Sequence, residues 1–397
     1  MKNPFFKVMI LILFIAGCSS SVGKHNLDSI LNTAPTKHLN YKSAQAAYEA
    51  GDFHAMINLM ATEEDIYGLH KQLIPVVGRD KIEYSNGKWG QVNSCKNETT
   101  LNSNAIGKVL SEIKDTRLII INEAHDTPQH REFILQLLPY LADRGFNVYA
   151  AETFSLGEKT LEEWKYEIEE RGSIAATGFY TTEPTFSRLI NKAVKEGFEL
   201  VPYEFKGTKN SSLSVSDRIK RREEGQALNI WQRALNNPKN KIVMHVGYSH
   251  VKEDIDHRGR SWLATVLKNK YGINPLTISQ TNCISSSLMD GWTYSTADDS
   301  DGVDLLVHSM PEILKNKRPE WLDLFGYQRI SANALIEHNK FNSVIIEAVN
   351  TEDNIVADRI YFKYGETIDI LLRSGNYKIL ASFDGGEKRT IQTLVIK

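Results

Sequence analysis

Acidic and histidine residues follow four apolar runs in the centre of this 397-residue chain. The runs have strand length and span residues 117–121, 147–151, 198–203 and 241–246. The residues that follow them are Glu123, His125, Glu152, Glu204 and His250. Carboxylates and imidazoles transfer protons and bind metals, and a converging set of them is typical of an active site. Each alone would be an ordinary solvated or capping residue, but together they predict a functional site.

Helical patterns alternate with these runs. Thr127 and Pro128 supply an N-cap and a proline at the first helical position, and apolar residues recur at helical spacing from 133 to 141. Two more apolar runs, 275–278 and 303–307, predict further strands. The alternation predicts an α/β fold with a mostly parallel sheet and helices on both faces. Because ligands bind outside the carboxyl ends of such strands, the acids and histidines are expected in one crevice.

Local spacing favours the same site. Glu123 and His125 are two residues apart, so in extended chain their side chains project to the same side. Glu223 falls on the inward stripe of a predicted helix, and an acid on a buried face needs a partner or a task. Arg222 and Lys220 are within its reach, so a buried ion pair is the alternative to a functional role.

The residues at these positions resemble a known group of proteins. The matching motifs are Asn122-Glu-Ala-His-Asp126 with Pro128 and His130, Ala151-Glu-Thr-Phe154, Arg222-Glu223 with Gln226-Ala227, and Gly247-Tyr-Ser-His250. They are similar to the ChaN-like haem-binding lipoproteins and, more distantly, to the erythromycin esterases and the TraB/Tiki group. The resemblance covers roughly residues 105 to 325. It implies a shared α/β fold and a site for either hydrolysis or haem.

Hydrolysis of a small molecule is the favoured function. His125 or His250 would act as general base on water, and the esterase-like relatives imply that Glu123 or Glu152 orients it. Arg222 would stabilise negative charge on the substrate oxygen. The predicted catalytic residues are Glu123, His125, Glu152, Glu204, Arg222, Glu223 and His250. No Gly-x-Ser-x-Gly motif indicates a serine nucleophile.

Two cofactors remain open as alternatives. In a metal-assisted variant, His125 and His250 would hold a divalent ion with a carboxylate. In a haem- or iron-binding lipoprotein for iron uptake, the candidate ligands are Tyr248, His250 and His130, which lies in the first turn of its helix and faces the rim. Haem ligation does not require a cluster of acidic, histidine and arginine residues, so hydrolysis is the preferred function.

The N-terminus predicts a lipoprotein signal peptide over residues 1–17. Lys2 and Lys7 precede the nine-residue apolar run 8–16, which is too short to span a membrane. The run ends at Ile15-Ala-Gly-Cys18, which resembles the bacterial lipobox. The resemblance implies lipid attachment at Cys18, a membrane as partner, and a place in the cell envelope, at the outer membrane in a Gram-negative cell.

The remaining sequence divides into four predicted parts. They are a lipidated tether (18–40), an N-terminal region of helices and short strands (41–104), the α/β domain (105–335) and a C-terminal antiparallel β-sandwich (340–397). The net charge of −2 and the mixed charges argue against nucleic acid as a partner. Cys95 and Cys283 are the cysteines that remain after Cys18, so in an oxidising compartment they are expected to pair.

We expect Cys18→Ser to abolish lipid modification, because the thioether at the lipobox cysteine is the predicted attachment point. The measurement is incorporation of radiolabelled palmitate into the full-length protein, with Cys95→Ser as the control variant. Equal labelling of Cys18→Ser and the control would contradict the lipobox prediction.

Overall fold

A computed structural model describes residues 43–62, 69–79, 94–96, 100–113, 116–157, 159–171, 177–207, 212–336 and 339–397. The predicted signal peptide, the tether and Cys18 lie outside these residues. No helix in these ranges is long and apolar enough to cross a membrane.

A central sheet of seven strands forms the core. Its strands are β1 (Leu118–Glu123), β2 (Val148–Ala151), β3 (Glu199–Pro202), β4 (Ile242–Gly247), β5 (Leu276–Ser279), β6 (Thr293–Thr296) and β7 (Leu305–His308), in the spatial order 3-2-4-1-5-7-6. Every neighbouring pair is parallel except β6 with β7. The predicted α/β fold is confirmed; the antiparallel β6 was not predicted, since its exposed and polar residues do not form an apolar run.

Helices cover both faces of this sheet. The α-helices are α1 (Ala44–Glu49), α2 (Phe53–Thr62), α3 (Ala105–Glu112), α4 (Pro128–Ala142), α5 (Leu161–Arg171), α6 (Pro184–Lys195), α7 (Val215–Ile230), α8 (Leu263–Tyr271) and α9 (Ala332–Leu335). A π-helical turn at Trp231–Leu235 extends α7, and 3₁₀ segments occupy Leu69–Val77, Tyr248–Val251 and Glu320–Phe325. Short strands were predicted within the N-terminal region 41–104, and this is wrong for Leu69–Val77, which forms a 3₁₀ helix. Its Leu73, Ile74, Val76 and Val77 side chains are buried in the core.

Alternate residues of the strands pack against different helices. Ile119 and Ile121 of β1 share a core with α4 and α6, whereas Leu118 and Ile120 share another with α7 and α8. This follows from the two-residue period of a strand, and it explains why β1 is apolar throughout. Both faces of the sheet are therefore buried, and its carboxyl-end edge carries the polar side chains.

The C-terminal region is a packed pair of antiparallel sheets. Its strands are β10 (Gln328–Ser331), β11 (Ser343–Asn350), β12 (Val356–Lys363), β13 (Asp369–Leu372), β14 (Gly375–Phe383) and β15 (Arg389–Ile396), and a two-residue hairpin of β8 (Leu314–Lys315) and β9 (Arg318–Pro319) precedes them. Strands β12-β11-β14-β15 form one sheet, β10 and β13 the other, and residues of both share one apolar core. Strand β10 precedes the predicted boundary at residue 340, so the pairing of β10 with β13 crosses that boundary.

A disulfide joins Cys95 to Cys283, as expected from the sequence. It links residues 188 positions apart in the chain, with Cα atoms 5.0 Å from each other. The bond ties the segment before α3 to the loop after β5, where Ser94 and Ile284 also form a parallel bridge.

We expect the double variant Cys95→Ser, Cys283→Ser to unfold at lower denaturant concentration. The crosslink closes a long loop, and removing such a bond costs about 2–5 kcal/mol. Urea unfolding of the oxidised wild type and the variant measures the difference. Two free thiols in the denatured, unreduced mature protein would contradict the pairing.

Candidate functional site

The polar residues converge where β1 and β4 end side by side. Glu123, the last residue of β1, is in register with Gly247, the last residue of β4. The chain leaves β1 through α4 towards β2 on one side, and leaves β4 through α8 towards β5 on the other. This is a topological switch point, the place where an open α/β sheet forms a crevice.

Glu123 is the centre of a buried ion network. Arg131 of α4 donates from Nε to Glu123 Oε2 at 2.7 Å and from Nη2 to Oε1 at 3.2 Å. Both side chains are almost completely buried. Burial alone would raise the pKa of Glu123, but the charges of Arg131 and His245 hold that pKa well below its usual range. Glu123 is therefore a carboxylate.

His125 is oriented by this carboxylate. Its Nδ1 lies 2.9 Å from Glu123 Oε1 and 2.8 Å from the hydroxyl of Tyr180. Because an ionised carboxylate repels a lone pair, the Nδ1 of a neutral His125 carries the proton and donates it to Glu123. Arg131 also donates to the backbone carbonyl of His125. The lone pair of Nε2 is then the proton acceptor of this ring.

Two tyrosines contact the ring of His125. The ring of Tyr180 lies 5.3 Å from it and the ring of Tyr248 lies 5.0 Å from it, the latter edge to face. Both tyrosines have left-handed backbone angles, φ +50° for Tyr180 and +38° for Tyr248. Such angles are costly for a bulky residue and occur most often at functional sites. The imidazole therefore has little freedom to rotate.

Glu152, at the end of β2, lies on the other side of His125. Its Oε2 accepts a hydrogen bond from the Gly247 amide at 2.5 Å. A Cβ on Gly247 would stand 2.6 Å from His125 Nε2 and 2.9 Å from Glu152 Oε2, so only glycine fits between the two side chains. Burial would raise the pKa of Glu152, but His250, Arg222 and His125 together hold it well below the usual range.

Arg222 of α7 links Glu152 to Glu204, which follows β3. Its Nη2 donates to both carboxylates, and its Nε donates to Glu204 Oε1 at 3.0 Å. Gln226, one turn further along α7, donates to Glu204 Oε2 at 2.9 Å. The side chain of Arg222 is 38% exposed, so it remains accessible to a ligand.

Glu223 pairs with His250 and not with the neighbouring cations that its sequence context suggested. His250 Nδ1 lies 2.7 Å from Glu223 Oε2, and its Nε2 lies 3.3 Å from Glu152 Oε1. Burial would lower the pKa of His250, but Glu152 and Glu223 together raise it to about 10. His250 is therefore a cation near neutral pH. Its Nδ1 donates to Glu223, and its Nε2 lies between Glu152 and Arg222 Nη1, which is 2.9 Å away.

A cavity of about 1000 Å³ opens over one part of this network. Its walls include the side chains of His125, Glu152, Glu204 and Arg222, with α1 and the aromatic residues Phe154, Phe179 and Phe205 opposite or around them. Glu123, His245, His250 and Glu223 lie behind these residues. The arrangement thus has a layer that faces the cavity and a buried layer that fixes it.

The predicted cofactor residues are placed differently. His130 is buried on α4, and its Nδ1 accepts a hydrogen bond from the Ala124 amide, so it fixes the loop after β1 and does not line the cavity. Tyr248 is 39% exposed and packs on His125. The roles predicted for these two residues stay untested, but neither side chain stands in the cavity wall.

The predicted metal pair of His125 and His250 is not part of a converging set of three donors. In the described ranges, the one set of acid, histidine or cysteine donors that converges closely enough for an ion is Cys95, Cys283 and His308, and its two sulfurs form the disulfide. The metal and haem roles of His250 stay predictions.

Sequence reasoning missed three members of the buried layer. They are Arg131, His245 and Tyr149. His245 Nδ1 lies 2.8 Å from the Tyr149 hydroxyl. Its Nε2 lies 3.1 Å from Glu123 Oε2, which is close enough for an ion pair but lacks the geometry of a hydrogen bond. The sequence signal for His245 was a histidine within the apolar strand 242–247. No signal pointed to Arg131, because an arginine at the start of a helix is ordinarily exposed.

Comparisons with known proteins give distant structural likenesses and no family. No protein-family model and no curated protein matches the chain. The type III effector HopBA1 aligns with 54% of this chain and 99% of its own, at 12% identity and a TM-score of 0.36. The RRSP effector domain of a MARTX toxin from Vibrio vulnificus aligns with 67% of this chain and 47% of its own, at 11% identity and a TM-score of 0.33.

A third structure is the C-terminal region of Pasteurella multocida toxin, described as having a thiol-protease-like catalytic triad. It aligns with 83% of this chain and 51% of its own, at 9% identity and a TM-score of 0.35. Likenesses of this degree carry no argument about activity. The expected membership of the ChaN-like, erythromycin esterase or TraB/Tiki group is wrong: no such family matches, and the similar folds are bacterial effector and toxin domains.

We expect His250 to titrate near pH 10 and not near its ordinary value of about 6.5. Its raised pKa stabilises the fold fully below pH 6.5, and this contribution is lost as the pH rises through 10. NMR titration of the His250 ring carbon measures the pKa directly. A His250 titration near 6.5 would contradict the ion network.

Proposed function

We propose that the chain is a hydrolase in which His125 is the general base. The observation that carries the proposal is the Glu123–His125 pair: a buried, ionised carboxylate fixes one ring nitrogen of a histidine that lines a large cavity. A base held by an acid in this way removes a proton from water as the water attacks a substrate, and the imidazolium then gives that proton to the leaving group as the scissile bond breaks. Water is the proposed nucleophile.

Negative charge that develops on the substrate would be stabilised by Arg222. Its guanidinium is anchored by Glu152 and Glu204 and is partly exposed in the same cavity as His125. Its Nη1 lies 2.9 Å from His250 Nε2, which fixes the guanidinium from a third side. A cation fixed before the reaction stabilises a developing oxyanion without a reorganisation cost.

The other carboxylates have supporting roles in this proposal. Glu152 fixes Arg222 and also lies next to His125, so it would stabilise the imidazolium formed after proton transfer. Glu204 and Glu223 position Arg222 and His250 respectively. The cavity volume of about 1000 Å³ favours a substrate of metabolite or short-peptide size.

The proposed location is the cell envelope. It rests on the lipobox at Cys18, and the disulfide between Cys95 and Cys283 agrees with an oxidising compartment. A lipid anchor there would hold the hydrolase at a membrane surface.

The test is hydrolysis of a chromogenic panel of 4-nitrophenyl acetate, phosphate and amino-acid anilides by the full-length protein. We expect His125→Gln to lower kcat/KM by about 100-fold or more, the usual contribution of a general base. We expect His257→Gln, which changes an exposed histidine outside the cavity, to leave kcat/KM unchanged.

Melting temperatures of the two variants control for folding. Full activity of His125→Gln would contradict the assignment of the base. Failure of the wild type to turn over any substrate of the panel faster than His125→Gln would count against the hydrolase proposal itself.

A further inference from the structure

A second cavity, of about 290 Å³, lies where α6 packs against the C-terminal strands. One wall is α6 with the side chains of Arg188, Lys192 and Lys195, and the other carries Asp353 and Arg373. It is separate from the site around His125, with which it shares no lining residue. Its walls come from both major parts of the molecule.

The charges in this cavity are not balanced. Four cationic side chains line it, and Asp353 is the one carboxylate among the described lining residues. Asp353 is already paired with Lys195 at 2.8 Å, and Lys192 is paired with Glu196 outside the cavity at 2.6 Å. Arg188 donates from Nη1 to the Ala357 carbonyl and from Nη2 to Thr185 Oγ1 at 3.1 Å, which are neutral acceptors. The carboxylate that pairs with both arginines lies behind the wall.

That partner is the fully buried Glu132 of α4, which both arginines share. Arg373 Nη2 lies 3.0 Å from one carboxylate oxygen, and Arg188 Nη2 lies 3.5 Å from the other. Both guanidinium groups also lie against the ring of Tyr327, at 4.6 Å for Arg373 and 5.1 Å for Arg188. Glu132 therefore pairs with both guanidinium groups, so the three side chains together carry one positive charge in excess.

Hydrogen-bonding capacity is also left over. The Nε atoms of Arg188 and Arg373 are buried and have no acceptor among the described residues. Within the described ranges, Arg373 makes one side-chain hydrogen bond, through Nη2, and its side chain is 37% exposed. Guanidinium groups with free, fixed donors are the usual recognition elements for phosphate and other oxyanions.

We propose that this junction cavity binds a soluble, phosphate-sized oxyanion, either inorganic phosphate or the phosphoryl group of a small metabolite. Arg373 is the principal ligand, Arg188 is the second, and Lys192 contributes charge. The bound anion contacts α6 and the strand region around Arg373 together, so it stabilises the packing between them. This site is independent of the proposed hydrolytic site.

The experiment is isothermal titration of the full-length protein with inorganic phosphate, against sodium chloride at the same ionic strength. Saturable binding and a rise in melting temperature are expected for the wild type. Arg373→Gln should weaken phosphate binding by about tenfold or more. Arg389→Gln removes an arginine from the same C-terminal region but outside the cavity, and should bind phosphate as the wild type does.

Because Arg373→Gln also removes a partner of Glu132, its stability can fall without any ligand effect. Lys192→Gln makes no contact with Glu132 and should lower the phosphate affinity by a smaller factor at unchanged stability. Equal phosphate affinity of Arg373→Gln and Arg389→Gln would overturn the proposal. So would wild-type protein that shows no saturable phosphate binding at millimolar concentration.

Discussion

The site depends on one ion pair, that of Glu123 with Arg131. A carboxylate buried at the end of a strand costs several kcal/mol unless a cation and hydrogen bonds compensate it. Arg131 supplies both, through two hydrogen bonds to Glu123 and a third to the backbone of His125. Glu183, which also caps α6, binds the remaining side of Arg131 at 3.1 Å. Without this pair the strand end could not hold a charged Glu123, and His125 would lose its orientation.

The order of the strands brings the other groups to this pair. Placing β4 next to β1 puts His245 behind Glu123 and Gly247 beside it, and Gly247 leaves the space that His125 and Glu152 share. The chain then turns at Tyr248 into the 3₁₀ segment that carries His250. Four carboxylates and two arginines, Arg131 and Arg222, surround His125 and His250, so the acid excess is relieved by protonation of His250.

Much of the fold could be predicted from the sequence, because the strands 118–123 and 242–247 are apolar runs followed by polar loops. The same logic predicted that Glu123, His125, Glu152, Glu204 and His250 would lie near one another. It could not predict that Glu223 binds His250, since helical spacing gives a residue's face and not its partner. Arg131 and Tyr180 were missed for a related reason: their positions depend on tertiary packing, and the loop before α6 has no regular pattern.

The tautomer of His125 is the most direct test of the account. In its neutral form the ring must carry its proton on Nδ1, facing Glu123, with the Nε2 lone pair free for chemistry. Nitrogen-15 NMR of labelled protein, recorded at a pH where the ring is neutral, distinguishes the two nitrogens. We expect a protonated Nδ1 in the wild type and loss of that preference in Glu123→Gln. A wild-type His125 protonated on Nε2 would contradict it.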